Sequence, residues 1–208
     1  MADILYVYGG KLYANLTNRC CLSCTFCIRK NGDGVGSART LWHEQEPTWE
    51  KIKEEIDKFD FSAYRELTFC GYGEPTYALD NLLRSAAYLK EKVPGIFLRV
   101  NTNGLSDRIH GKPTAALLAE HIDTVSISLN APTKEKYQAV SHPAFEDAYE
   151  SMLRFAEDSK KVFSKTIFTV VDVIPQEDID ACRKIADEMG IAFRVRKYTA
   201  DNGEPPAL

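Results

Sequence analysis

The sequence predicts an α/β fold, a partial and open (β/α)6 barrel preceded by an N-terminal β-hairpin. Strand-like and helix-like segments alternate repeatedly after residue 47, which implies a parallel sheet joined by right-handed crossovers. The chain has 208 residues. A complete eight-unit barrel needs ~250, so about six units fit and the barrel is expected to stay open. A doubly wound open sheet would show the same alternation and is the competing architecture.

The chain opens with two strand-like runs, 4–8 and 11–15, on either side of Gly9 and Gly10. Adjacent glycines tolerate the positive φ angles of a tight turn, so these runs are predicted to form the hairpin. Residues 31–46 contain three more glycines and show no hydrophobic periodicity. We interpret this segment as a mobile loop.

Apolar residues at helical spacing predict the helices, and Thr48 is a candidate N-cap for the first of them. The stripes are Trp49, Ile52, Ile56 and Phe59; Leu79, Leu82, Leu83, Ala86 and Leu89; Phe145, Ala148, Met152 and Phe155; and Ile179, Cys182, Ile185 and Met189. A shorter helix is expected at 115–120, and strands at 66–70, 96–101, 122–129, 166–173 and 191–197. These elements predict one domain over 1–208, with a hairpin (3–16), a cysteine-bearing loop (18–46), a barrel (47–198) and a tail (199–208).

Polar residues alternate with apolar ones along the predicted strands, so one face of the sheet is polar. This face carries Glu66, Thr68 and Cys70; Arg99, Asn101 and Asn103; Ser126, Ser128 and Asn130; and Arg194, Arg196 and Tyr198. A solvent-facing sheet would explain the pattern, but parallel strands covered on both faces are usually continuous apolar runs. We favour a wet, curved lumen that receives polar ligands.

Composition excludes few classes of protein. The net charge is −4 with 44% hydrophobic and 27% charged residues, typical of an ordinary globular protein and without the positive surface that generic nucleic-acid binding requires. The N-terminus has no basic region before an apolar stretch, and no segment reaches the ~20 apolar residues of a membrane span. A cytoplasmic protein without membrane contact is expected.

Four of the six cysteines, Cys20, Cys21, Cys24 and Cys27, lie within eight residues. Disulfides between such near neighbours would be strained, and a structural zinc site usually needs two separated pairs. Three thiolates in the spacing Cys20-x3-Cys24-x2-Cys27 suit an iron–sulfur cluster that leaves one iron open. Cys21 breaks this spacing and is predicted not to be a ligand.

This cysteine pattern, with Phe26 before the last cysteine, resembles the signature of the radical S-adenosylmethionine (radical SAM) superfamily. Further superfamily motifs follow at the ends of successive strands. Gly71-Tyr72-Gly73-Glu74-Pro75 resembles the Gly-Gly-Glu-Pro motif that contacts the methionine amino group, although Tyr72 replaces the first glycine. The other positions that match are Asn101 and Asn103, Ser128 and Asn130, which resemble contacts to the ribose and the methionine carboxylate, and Asp172 in the region that contacts adenine. Residues 8–11 and 128–133 look most like the small TatD-associated radical SAM proteins.

The resemblance implies a 4Fe-4S cluster on Cys20, Cys24 and Cys27 that reductively cleaves S-adenosylmethionine, with a flavodoxin- or ferredoxin-type electron donor. The resulting 5′-deoxyadenosyl radical would take hydrogen from an unidentified small metabolite or peptide. Arg194, Arg196 and Tyr198 are the predicted substrate contacts, because they share the polar face and guanidinium groups favour carboxylate or phosphate. An activase of a partner protein, an RNA methylase and a non-catalytic iron–sulfur or zinc scaffold are the alternatives.

Overall fold

The structure, a computed structural model, describes residues 2–198 and confirms an α/β fold around one curved sheet. In residues 2–198 the strands are β1 (Leu5–Tyr8), β2 (Lys11–Ala14), β3 (Glu66–Phe69), β4 (Phe97–Thr102), β5 (Thr124–Ser128), β6 (Lys165–Val171) and β7 (Ala192–Arg196). The sheet order follows the chain order, and no ladder within those residues joins β7 to β1. The barrel is therefore open.

The hairpin forms as predicted. β1 and β2 are antiparallel with Tyr8 opposite Lys11, and Gly9 (φ +56°) and Gly10 (φ +73°) form the turn. Strand β2 then pairs in parallel with β3, so the second arm of the hairpin is also the first parallel strand. The strands from β2 to β7 give the six parallel strands of the predicted architecture.

Helices cover the outer face of the sheet. They are α1 (Trp49–Lys58), α2 (Leu79–Lys92), α3 (Ser106–His110), α4 (Ala115–Ala119), α5 (Lys134–Ser141), α6 (Ala148–Val162) and α7 (Gln176–Met189). Helix α1 begins as expected, with the Thr48 side chain accepting a hydrogen bond from the backbone N–H of Lys51 (3.4 Å), which satisfies a donor that the first helical turn leaves free. None of the helices in residues 2–198 has the length and apolar content to cross a membrane.

The core lies between the helices and the outward face of the sheet. The outward residues Leu67, Phe69, Leu98, Val100, Val125, Ile127, Phe168 and Val170 are fully buried and belong to one continuous apolar cluster with the helical stripes. Residues paired in a parallel sheet face the same side. The polar sets predicted from strand alternation accordingly lie together on the opposite, lumenal face.

Residues 31–46 form an irregular loop, as expected, and this loop packs against the hairpin. The backbone N–H of Ser37 donates to the carbonyl of Val7 (2.8 Å), and that of Leu41 donates to Asp33 (2.7 Å). Leu41 is fully buried in a second apolar cluster with Tyr6 and Tyr72. The loop thus forms a wall of the barrel mouth.

Candidate active site

A cavity of about 740 Å³ lies at the carboxyl ends of the strands, the end at which parallel α/β folds bind ligands. It brings together almost every site residue that the sequence predicts. Those that line it are Cys20, Cys24, Phe26, Cys27, Gly71, Tyr72, Gly73, Glu74, Asn101, Asn103, Ser128, Asn130, Arg194, Arg196 and Tyr198. Asp172 is the exception. It is exposed and its carboxylate accepts the backbone N–H of Tyr198 (2.6 Å).

Strand alternation explains the position of Asp172. Val171 pairs with Arg196 on the lumenal side and lines the cavity, so the next residue along the strand points the other way. Asp172 orients Tyr198 rather than lining the cavity.

The loop that carries the cysteines is anchored to the end of α5. The backbone N–H groups of Ser23 and Thr25 donate to the carbonyls of Ser141 (3.0 Å) and Val140 (2.9 Å). The Cys20, Cys24 and Cys27 side chains open into the cavity, with Cys27 N–H bonded to the Cys24 carbonyl (3.3 Å). Burial raises the pKa of Cys20 to about 11 and that of Cys24 to about 12, so both are neutral thiols until a metal displaces the proton.

The donor set suits an iron–sulfur cluster better than a single metal ion. All six cysteines are free thiols, and within residues 2–198 no three His, Cys, Asp or Glu side chains converge closely enough to hold one ion. A structural zinc site requires such convergence. In a four-iron cluster each thiolate binds a different iron, so three separated thiols around one cavity fit it.

Cys21 lies close to Cys20, since the Asn103 amide nitrogen is 4.0 Å from the Cys20 sulfur and 3.3 Å from the Cys21 sulfur, but its environment differs from that of the other three cysteines. It is 6% exposed and belongs to the apolar core, and it is absent from the cavity wall. Its sulfur accepts a hydrogen bond from the Asn103 side chain (3.3 Å). This placement supports the prediction that Cys21 is not a ligand.

The glycines of the Gly71–Pro75 motif are required by close backbone approaches. A Cβ on Gly71 would lie 2.0 Å from Asn15 Oδ1, and one on Gly73 would lie 2.3 Å from the Thr17 carbonyl oxygen and 2.8 Å from that of Arg19. The backbone N–H of Glu74 also donates to the Arg19 carbonyl (2.8 Å). The motif is therefore bound tightly to the segment that leads into Cys20.

We expect Gly73→Ala to destabilise the protein by about 3 kcal/mol, because the added methyl group meets backbone atoms that cannot rotate away. For a chain of this size that corresponds to a melting temperature lower by roughly 6–12 °C, which thermal unfolding monitored by circular dichroism measures. Gly32→Ala is the matched control, since a Cβ there meets nothing within 4 Å. Equal melting temperatures for the two variants would contradict this account.

Glu74 is a buried carboxylate that joins the ends of β3 and β4. Its Oε1 accepts hydrogen bonds from the backbone and hydroxyl of Thr76 (3.1 and 2.8 Å) and from the Thr102 hydroxyl (2.7 Å), while Oε2 accepts from the backbone of Asn103 (2.7 Å). No cation pairs with Glu74 within the described residues. Burial raises the pKa of Glu74, and these hydrogen bonds oppose the rise.

Two amide side chains have buried oxygen atoms without a hydrogen-bond partner among residues 2–198. They are Asn101 Oδ1 and Asn130 Oδ1, and both residues line the cavity. Asn130 is held by its own amide, which donates to the Ser141 hydroxyl (3.1 Å), and it adopts a positive φ of 62°. Buried polar atoms are usually satisfied, so these two acceptors favour a polar ligand at the ends of β4 and β5.

Sequence reasoning missed the tyrosines of the hairpin. Tyr6 and Tyr13 stack with their ring centroids 5.3 Å apart, and both line the cavity with Tyr8. Tyr6 donates to the Cys70 carbonyl (3.1 Å). The alternation of residues along the hairpin could have predicted them, because the hairpin register places Tyr6, Tyr8 and Tyr13 at the lumenal positions of β1 and β2.

An open (β/α)6 barrel with a three-thiol, iron–sulfur-compatible site at its carboxyl end defines a class of enzyme that performs chemistry on a ligand held inside the barrel. The chain belongs to the radical SAM superfamily, whose family model matches residues 14–189. Members of this superfamily are enzymes that use a 4Fe-4S cluster and S-adenosylmethionine, so the cofactor prediction is confirmed. The narrower resemblance to TatD-associated proteins stays a prediction.

A curated relative is a probable GTP 3′,8-cyclase from Methanosarcina acetivorans, 32% identical over 140 residues. The match covers 64% of this chain and 38% of the relative, so the chain spans well under half of that protein's length. Similar solved structures include Streptococcus suis SuiB bound to S-adenosylmethionine, at a TM-score of 0.63 and 20% identity over 94% of this chain and 42% of SuiB. TYW1 with a lysine-pyruvate adduct has a TM-score of 0.64 and 17% identity over 95% of this chain and 69% of TYW1. These likenesses confirm the fold.

Proposed function

We propose that this radical SAM enzyme holds its 4Fe-4S cluster on Cys20, Cys24 and Cys27 and takes a hydrogen atom from a substrate in the lumen. The observation that carries the proposal is the orientation of the cysteines, because Cys20, Cys24 and Cys27 open into the cavity and Cys21 does not. When bound and reduced, the cluster supplies the electron that cleaves S-adenosylmethionine to methionine and a 5′-deoxyadenosyl radical.

The ends of β3 to β5 are proposed to bind S-adenosylmethionine. Asn101, Ser128 and Asn130 offer amide and hydroxyl groups for the ribose and carboxylate, and two of these amides have a free buried oxygen. The wall of this proposed S-adenosylmethionine site is completed by Phe26, Gly71, Tyr72, Gly73 and Asn103. Asn103 also positions the cysteine loop through its bond to Cys21.

Glu74 is proposed to attract the methionine ammonium group. The Glu74 carboxylate accepts four hydrogen bonds, but no cation pairs with it within residues 2–198. Only one of the four hydrogen bonds goes to Oε2. A carboxylate oxygen has room for a second donor. An incoming ammonium would pair with a charge that the fold otherwise leaves uncompensated, which favours binding there.

The lumen below this edge is proposed to hold the substrate and to keep water away from the radical. Its walls are contributed by Tyr13, Cys70, Arg194 and Arg196, and Tyr198 lies at the mouth, hydrogen-bonded to Asn31 (3.4 Å). An electron donor of flavodoxin or ferredoxin type and a cytoplasmic location are part of this proposal.

The proposal is tested by anaerobic reconstitution with iron and sulfide, followed by reduction in the presence of S-adenosylmethionine. We expect bound iron and sulfide in the proportions of a four-iron cluster, and 5′-deoxyadenosine detected by chromatography. Protein without iron, treated identically, is the control. An intact cluster that binds the nucleotide and never cleaves it under any reductant would contradict the radical mechanism.

A peptide is one of the two kinds of substrate predicted, and one neighbour supports it, because SuiB is also described bound to its precursor peptide SuiA, at a TM-score of 0.66 and 20% identity. The RNA methylase alternative is less favoured. Such enzymes need extra catalytic cysteines, and Cys182 is fully buried on α7, which leaves Cys70 in the cavity without a second thiol beyond the cluster loop among the described residues.

A further inference from the structure

Strand β7 presents two arginines to the lumen, with one residue between them. Arg194 pairs with Thr169 and Arg196 with Val171 in the parallel register of β6 and β7, and both guanidinium-bearing side chains line the cavity. Because they are two residues apart on one strand, they lie on the same face. They form a pair of adjacent positive charges.

This arginine pair has no close ion-pair partner in residues 2–198, and the Glu66 carboxylate, which is bound to Arg99, acts on Arg194 only from a greater distance. Neither side chain makes an ion pair or a hydrogen bond there, and Arg196 Nε is shielded from solvent without a partner. Arg99, in the same lumen, is by contrast bound to Glu66 at 2.9 Å. Partial burial lowers the pKa of Arg194, and the neighbouring charges of Arg99 and Arg196 lower it further, as expected where like charges crowd together.

Among residues 2–198, the charged side chains that line the cavity are mostly basic, although the chain carries a net charge of −4. Arg39 and Lys197 join the arginine pair in its wall, and the acidic residues of that wall are Asp33 and Glu74. Glu74 lies at the ends of β3 and β4, and its charge is assigned to the methionine ammonium group rather than to the arginines. Positive charge concentrated in a cleft attracts anionic ligands.

We propose that the substrate of the radical reaction carries an oxyanion group, a carboxylate or a phosphate, which Arg194 and Arg196 bind together on the β7 side of the lumen. This inference rests on the proposed function. Planar guanidinium groups match the oxygen pairs of both anions. The stacked rings of Tyr6 and Tyr13 line the same cavity. The Arg194 charge acts on Tyr13, because it opposes the rise in the Tyr13 pKa that burial causes. The body of the substrate lies between the rings and the arginines.

The arginine pair is distinct from the groups assigned to S-adenosylmethionine. Those groups lie at the ends of β3, β4 and β5, next to the cysteine loop, as the bonds from Glu74 N–H to Arg19 and from Asn103 to Cys21 show. Arg194 and Arg196 lie on the last strand of the open sheet. An anion on β7 therefore leaves the methionine end of the nucleotide in place.

The test compares the reconstituted enzyme with the double variant Arg194→Gln/Arg196→Gln and with Arg154→Gln, a control whose side chain is 61% exposed on α6. Thermal unfolding is measured with S-adenosylmethionine bound, in chloride, inorganic phosphate or succinate at equal ionic strength. At about ten times Kd the bound anion should raise the melting temperature of the wild type and the control by roughly 3–6 °C. The double variant should show no such shift and should melt no lower than wild type in chloride, because it loses two uncompensated charges.

The phosphate and succinate arms distinguish the two kinds of oxyanion. Equal anion shifts in wild type and double variant, or no shift in wild type, overturn the proposal. A large loss of S-adenosylmethionine affinity in the double variant, measured by calorimetry, also overturns it, because the pair would then belong to the nucleotide site. The same anion measurement is repeated on cluster-free protein, so that anion binding is tested separately from the proposed radical reaction. Failure of the proposed function would instead appear as the absence of 5′-deoxyadenosine in the wild-type assay.

Discussion

Cys24→Ala is expected to abolish the 4Fe-4S cluster and with it the cleavage of S-adenosylmethionine. Cys24 lines the cavity together with Cys20 and Cys27, and its loop is anchored by backbone bonds from its neighbours Ser23 and Thr25 to the end of α5. Its pKa is raised mainly by burial, while the Ser141 hydroxyl favours the thiolate. With two thiolates left, the cluster loses one of its three protein bonds. Iron and sulfide analysis after anaerobic reconstitution measures the loss.

Cys21→Ala and Cys182→Ala are the matched controls for this experiment. Cys21 lies next to a predicted ligand but points into the core, and Cys182 is fully buried on α7. Both variants remove one thiol and should keep the full iron content, although Cys21→Ala loses the contact to the Asn103 amide and the packing of the sulfur in the core. Loss of the cluster in Cys21→Ala would show that the ligand set is wrong.

Local features of the sequence predicted most of the residues that line the cavity. The cysteine spacing could be interpreted because three ligands of one cluster come from a single short loop. The polar lumen could be predicted because the period of a strand is two, so Asn101 and Arg196 had to lie on the face opposite Val100 and Val195. The same rule, applied to β6, would have excluded Asp172 from the cavity.

Features that depend on contacts between residues far apart in the sequence could not be predicted from local patterns. Residues 31–46 lack periodicity, yet bonds such as Ser37 to Val7 and the burial of Leu41 fix them on the hairpin. Helix α5 was missed because its eight residues bury few apolar side chains, chiefly Tyr137 and Val140, too few for a clear stripe.

The chemistry of Glu74 also comes from tertiary structure. The sequence shows a carboxylate within a Gly–Pro-containing motif. The four donors that converge on that carboxylate come from the turn after β3 and from the end of β4, which only the folded chain brings together. The motif therefore has a structural role in addition to its proposed role in binding.

Glu74→Gln is expected to weaken S-adenosylmethionine binding strongly while the cluster still forms. The amide is nearly isosteric, but it carries no charge to pair with an ammonium group. Its NH2 group must also face either the Asn103 or the Thr76 backbone N–H, which leaves a buried donor unpaired at a cost of about 1–3 kcal/mol. Thermal unfolding should therefore show a melting temperature lower by roughly 2–12 °C, and calorimetry should show the loss of affinity.

The pH dependence of binding separates these two roles of Glu74. Because burial raises the pKa of Glu74, the free protein holds a proton there over part of the acidic range, and an ammonium group can pair only after that proton leaves. Affinity for S-adenosylmethionine in wild type should therefore rise as the pH is raised through the Glu74 pKa. The free energy of unfolding without ligand should fall over the same range, since the folded state binds the proton more tightly than the unfolded state. Both dependences should be missing in Glu74→Gln, and a purely structural Glu74 would change the unfolding curve alone.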